Sequence, residues 1–191
     1  GPWTRGPRRK WSSTPWTWGI NFFDTANGYS AGTSEEYLGR ALKKNVSRDK
    51  VVIASKVYFN PGRLSRQAIH REIDGSLKRL GTDYLDLYLI HMPYGDYHGS
   101  WRAMETLLQA GRVRAIGVCN FLPDRLVDLI LTHSVVPAVN QIELHPFCQQ
   151  RKLRQIMAQY QIHPMAWAPF AEGMNGIFQH PVLSAVGAQY G

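Results

Sequence analysis

The sequence predicts an α/β fold, an incomplete (β/α)8 TIM barrel of about six βα units. Three observations carry that prediction. Apolar runs recur roughly every 30 residues, they are continuous rather than alternating, and helical stripes lie between them. Continuous apolar runs belong to parallel strands buried on both faces. A Gly-x-Gly-x-x-Gly turn after a strand, which an open dinucleotide-binding sheet would want, is absent, and six uninterrupted units favour a closed barrel.

The runs span 20–23, 51–54, 85–90, 113–118, 138–142 and 165–170. After the second, Ser65 is placed to cap a helix whose stripe is Ile69, Ile73, Leu77 and Leu80. After the third, Trp101, Met104, Leu107 and Leu108 form another, closed by Gly111. Pro123-Asp124 opens a helix carrying Leu126, Leu129 and Ile130, and Leu153, Ile156, Met157 and Tyr160 follow the fifth run. A last helix begins near Pro181. A complete barrel needs roughly 250 residues, so at least one C-terminal strand, and the first strand too, are expected to be missing from residues 19–191. Residues 1–18, with Pro2, Pro7 and Pro15 and neither strand nor helical period, form a separate, irregular segment.

Composition narrows the function classes. At 44% hydrophobic and 12% aromatic residues the chain is expected to be globular, and it contains no apolar run near the roughly 20 residues of a membrane span. Cys119 and Cys148 make neither a disulfide framework nor a zinc cluster, and with no secretory signal a cytoplasmic protein is expected. Of the net charge of +8, Arg5, Arg8, Arg9 and Lys10 supply four. The rest is dispersed: Arg63, Arg66, Arg71, Lys78 and Arg79 share one helical stretch with Glu72 and Asp74. That is a solvated helix face, not a nucleic-acid stripe.

In a βα barrel the strand C-termini share one face, where active sites sit. The first run delivers Asp24 and then Tyr29, the second ends at Lys56 and the third at His91. Each alone reads as ordinary: an Asp cap, a surface phenol, a loop lysine, a turn histidine. Four at successive strand ends suit proton delivery to a carbonyl. A phenol with pKa near 10 is a poor acid at neutral pH, and a neighbouring ammonium brings it toward the working range. Asp24 would hold Lys56, and His91 would orient the substrate oxygen. The set lacks a hydride, so a cofactor is required.

The segments "GINFFDTANGYSAGTSEEYLGRAL", "VVIASKV", "GTDYLDLYLIHMP", "RAIGVCNF" and "NQIELHP", in this order and spacing, resemble the aldo-keto reductase superfamily from Gly19 onward. Through about Tyr84 the chain is similar to the aryl-alcohol dehydrogenase branch, and beyond it to the diketogulonate reductase branch. The resemblance implies a (β/α)8 barrel, a small-molecule carbonyl substrate and NADPH, or NADH, as cofactor. It implies a tetrad of Asp24, Tyr29, Lys56 and His91. For the cofactor it implies Asp24, Asn120 and Gln141 at the nicotinamide, Trp167 stacked on its ring, and Cys119 where many members have Ser. Turn capping by Asn120, a core hydrogen bond by Gln141 and core packing by Trp167 are the alternatives. Tyr58, Tyr94 and Trp101 suggest an aromatic substrate mouth. The family's segment that grips the adenosine 2′-phosphate lies beyond the last strand seen here. Two other readings remain, an inactive cofactor-binding or interaction module and a metal-dependent hydrolase using His91, His145 and Asp24, and in any reading open barrel edges invite association. The hydrolase lacks a His-x-His pair.

Overall fold

The computed structural model describes residues 19–190, so the 1–18 segment lies outside the described residues. Six parallel strands pair in sequence order: β1 (Phe22–Asp24), β2 (Val52–Val57), β3 (Leu87–Ile90), β4 (Ile116–Cys119), β5 (Val139–Glu143) and β6 (His163–Trp167). They alternate with α1 (Thr33–Asn45), α2 (Arg66–Leu80), α3 (Tyr97–Gln109), α4 (Pro123–Thr132) and α5 (Arg151–Gln159), and α6 (Pro181–Tyr190) ends the described chain. This is an incomplete (β/α)8 barrel. Among the described residues, no helix is long and apolar enough to cross a membrane.

Two apolar layers flank the sheet. The larger lies between strands and helices and contains Ile53, Ile69, Ile73, Tyr88, Met104, Leu126 and Met157. Trp101 belongs to it: the indole is fully buried and its Nε1–H donates to Val135 O at 3.1 Å, so Trp101 is core and not a wall of the mouth. The smaller layer sits on the opposite face, with Ala54, Leu87, Leu89 and Cys119 at its centre and Ala115, Val139 and Met165 around it.

Alternation along each strand sorts residues between those layers. Paired residues share a face, and the register runs Asp24↔Ala54, Lys56↔Leu89, Leu89↔Gly117, Cys119↔Gln141 and Glu143↔Trp167. One inner face therefore carries Asp24, Lys56, Cys119, Gln141 and Trp167.

Local signals set most boundaries. Ser65 caps α2 by accepting from the Ala68 N–H, and Gly81 ends it with φ +67°. Gly111 follows α3 one residue beyond its cap, Ala110. The runs 85–90 and 113–118 each divide into an isolated Leu85↔Val113 bridge and a strand proper. The sixth run is displaced: β6 is His163–Trp167, because Ala168 adopts φ +49° and its carbonyl accepts from the Ala171 N–H, closing a turn.

The apolar stripes do not announce α1. Its buried positions are Glu35, Gly39 and Leu42, a helical period written with an acid and a glycine. Gly39 is required by proximity: a Cβ there would stand 2.5 Å from the Leu80 carbonyl oxygen. Backbone cannot move aside as a side chain can. Gly39→Ala should therefore lower stability by about 1–3 kcal/mol, the usual scale of overpacking. Urea denaturation measures this, and an unchanged midpoint would mean that α1 and α2 have slack between them.

Candidate active site

Lys56 is the most constrained polar group of the inner face. Its side chain is fully buried, and each of its three ammonium hydrogens has an acceptor. Nζ lies 2.7 Å from Asp24 Oδ2, 2.9 Å from Thr25 O and 3.2 Å from the Tyr29 hydroxyl oxygen. A buried ammonium demands such partners, since leaving it unpaired costs several kcal/mol. Tyr29 OH thereby accepts one bond, which leaves its own hydrogen free to donate elsewhere. Tyr29 as a whole residue remains 42% exposed.

The loop carrying Tyr29 is tied to the strand carrying Lys56. Thr25 N–H donates to Ala54 O at 3.0 Å and Asn27 N–H to Lys56 O at 3.1 Å, continuing the ladder past the end of β1. Asn27 Nδ2 reaches Asn60 Oδ1 and Glu72 Oε2, both at 3.0 Å. Behind β2, the fully buried Glu35 accepts from Ser55 Oγ and Arg79 Nε, each at 2.6 Å.

His91 follows β3 directly. Its ring meets Tyr29 edge to face at 5.6 Å and Phe59 at 5.1 Å. Burial, and then the Lys56 ammonium, lower its pKa from the ordinary 6.5 to about 4, so the imidazole is neutral at physiological pH. Its Nδ1 is buried and has no partner among the described residues.

The amide side chains are pre-positioned. Gln141 Nε2 donates to Asp24 Oδ2 at 3.2 Å, and the Cys119 thiol donates to Gln141 Oε1 at 3.6 Å. Burial pushes the Cys119 thiol well above its ordinary range, so it stays protonated. Asn120 leaves β4 with φ +60° and accepts from Trp167 Nε1 at 2.8 Å. Gln141 keeps one amide hydrogen free of these bonds, and Asn120 keeps its NH₂ group and one lone pair.

The structure thus gathers Asp24, Tyr29, Lys56 and Gln141 into one bonded group, sets His91 against Tyr29, and joins Asn120 to Trp167. Tyr58 and Tyr94 stand further out. Tyr58 is buried with its hydroxyl accepting from Arg63 Nη1 at 3.0 Å, and Tyr94 is half exposed at 6.0 Å between ring centroids. Phe59, Asn27 and Glu35 were not singled out by sequence reasoning, and Glu72, expected on a solvated helix face, is instead largely buried and accepts from Asn27. The motif "DTANGYS" contains Asn27, but the partners of the others come from distant segments. His145 joins neither His91 nor Asp24. It groups instead with Glu143 and Cys148, whose ligating atoms lie within 4.8 Å of one another. His145 Nδ1 accepts from Phe147 N–H, so Nε2 carries the hydrogen that points at Glu143 Oε1, 2.9 Å away. Both ring nitrogens of His145 thus have hydrogen-bond partners within its own turn.

The match to a family model, described as the Aldo/keto reductase family, covers residues 16–179, and the chain belongs to that family. It is 39% identical over 177 residues to methylglyoxal reductase DkgA of Salmonella typhimurium, across 91% of this chain and 62% of that protein. To morphine 6-dehydrogenase of Pseudomonas putida it is 42% identical over 179 residues, across 88% and 59%. The chain thus spans about three fifths of the length of these relatives. Among solved structures, the aldo/keto reductase of Brucella melitensis matches with TM-score 0.83 and 35% identity, over 92% of this chain and 66% of that one. The Bombyx mori aldo-keto reductase in complex with NADP matches with TM-score 0.80 and 30% identity, over 89% and 61%.

The His91 environment has a measurable consequence. Its folded pKa lies below the unfolded value, so the unfolded chain binds more protons between the two. The stability gained by keeping His91 neutral is therefore complete above pH 6.5 and is lost as pH falls through about 4. NMR titration of the His91 ring should show a midpoint near 4, and His91→Gln should lose less stability than wild type between pH 6.5 and pH 4. A midpoint near 6.5 would contradict the burial described here.

Proposed function

We propose that the chain carries the active site of an NADPH-dependent carbonyl reductase, converting an aldehyde or ketone to an alcohol. The observation that carries this reading is the Lys56 ammonium, fully buried with Asp24 on one side and the Tyr29 hydroxyl on the other. Because the phenol oxygen already accepts from Lys56, its own hydrogen is available to a carbonyl oxygen. Tyr29 is the proton donor in this reading. Lys56 stabilises the phenolate left behind, and Asp24 holds Lys56 in place and offsets its charge. His91, neutral, donates an N–H to the same carbonyl oxygen and orients it without adding charge.

A nicotinamide carboxamide offers one acceptor and one donating NH₂ group, and the Asn120 and Gln141 amides supply the complementary pair. Their neighbours Trp167, Asp24 and Cys119 already fix both amides. The residues present therefore fit this end of the cofactor, and Trp167 supplies a flat aromatic face for its ring. Bound NADPH supplies the hydride that this residue set lacks. The relatives support the reading: one is named a methylglyoxal reductase, and a structural neighbour was crystallised with NADP.

Tyr29→Phe removes the proton donor and keeps the ring. It should lower kcat for an aldehyde by about 10²–10⁴-fold, the range of positioned acid catalysis, while NADPH still binds. NADPH oxidation followed by absorbance reads the rate, and calorimetric titration reads binding. Undiminished turnover in Tyr29→Phe would exclude Tyr29 as the acid.

A further inference from the structure

We propose that Asn27 is a positioning residue for proton transfer: its side-chain amide clamps the loop of the proton donor and so sets where the Tyr29 hydroxyl stands. This deepens the reductase reading and rests on it.

Tyr29 needs an anchor beyond its own side chain. The residue is 42% exposed, and its ring meets His91 by an edge and the Lys56 ammonium at 4.8 Å from its centre. A side chain this exposed is placed chiefly by its backbone. The backbone just beyond it is held in an unfavourable shape. Ser30 and Ala31 adopt φ +49° and +53°, a left-handed pair that residues other than glycine avoid. Such a conformation persists where surrounding contacts over-determine it. Once a fastening is removed the loop relaxes, and Tyr29 moves with it.

Asn27 is that fastening. It is 7% exposed and stands two residues before Tyr29. Its backbone N–H donates to Lys56 O, which binds the loop to the residue that Tyr29 must meet. Its side-chain NH₂ donates to Asn60 Oδ1 and to Glu72 Oε2, each at 3.0 Å. Asn60 belongs to the loop after β2 and Glu72 to α2, so one amide ties three segments together. Both partners are held in turn. Asn60 Nδ2 donates to Arg63 O at 2.9 Å, and Glu72 Oε1 pairs with Arg71 Nη2 at 3.1 Å.

The two acceptors select an asparagine. They require two hydrogens from one short side chain, which the asparagine amide offers. An aspartate has the same size and no hydrogen to give, and it sets a second carboxylate against Glu72. Asn27 thus acts on the reaction through Tyr29, and a misplacement of about 1 Å in such a donor costs on the order of 10²-fold in rate.

The test compares Asn27→Asp, Asn27→Ala and Glu72→Gln in the whole chain, with NADPH and propanal as probes. Asn27→Asp should lower kcat about 10- to 100-fold per NADPH-binding site, counted by calorimetric titration, with the NADPH Kd unchanged. The solvent deuterium isotope effect on kcat should rise in the same variant, because proton delivery slows; lost stability alone leaves it where it was. Glu72→Gln keeps an oxygen where Asn27 donates and should hold kcat near the wild-type value. A further readout needs no turnover. The Tyr29 Cζ NMR signal, assigned by its loss in Tyr29→Phe, should move in both Asn27 variants and stay in place in Glu72→Gln. If Asn27→Asp does not fold, Asn27→Ala, which adds no carboxylate, carries the same comparison. Undiminished kcat per site in a folded Asn27 variant would overturn the proposal, as would a Tyr29 signal that does not move or an equal loss in Glu72→Gln. A wild-type chain that oxidises no NADPH with the aldehyde would sink the reductase reading and the kinetic role with it, whereas the Tyr29 signal would still judge the clamp.

Discussion

A lysine ammonium held wholly out of water is the constraint around which this molecule is organised. Lys56 sits on the inner face of β2, and its charge is tolerable there only because three acceptors converge on it. One acceptor is a carboxylate from the end of β1, one a backbone carbonyl of the following loop, and one a phenol further along. Removing any of them would leave a buried donor unmet. The loop from Asp24 to Tyr29 is thus placed by the electrostatic requirement of its neighbour, and the same bond leaves the phenol's own hydrogen available.

Meeting that requirement takes more than the four side chains at the opening. The loop is pinned to β2 by backbone bonds, and through Asn27 it is fastened to α2 at Glu72. Beneath the strand, Glu35 joins Ser55 to Arg79, so α1, β2 and α2 share one buried polar link. The sheet does the remaining positioning. Parallel register transfers the facing of one residue to its neighbour, so Asp24, Lys56, Cys119, Gln141 and Trp167 reach the same side, where the first four bond in one chain. Precision at the site is therefore a property of the strands more than of the loops.

Much of this was legible in the residues. Unbroken apolar runs announce parallel strands, and the strand ends mark where the candidate site residues stand, because both follow from periodicity along the chain. What escaped has a physical reason in each case. α1 turns Glu35 and Gly39 inward, so no apolar stripe marks it. β6 ends early because Ala168 adopts a left-handed conformation, which its residue type does not advertise. Trp101 looked like a mouth residue, but its indole N–H finds Val135 O in the core. Phe59 carries no signal in its own segment, since its neighbours His91 and Gly28 are brought to it by the fold.

The sequence by itself determined the class of fold, the order of its strands and the residue types delivered to their ends, since all three depend on neighbours within a few positions. Only the tertiary structure decided which of those residues meet. Bonds such as Gln141 to Asp24 join positions 117 residues apart, and whether Lys56 is buried, Tyr29 left free to donate or His91 kept neutral depends on water excluded by segments remote in the chain. Burial and partner geometry are collective properties, and no local pattern encodes them.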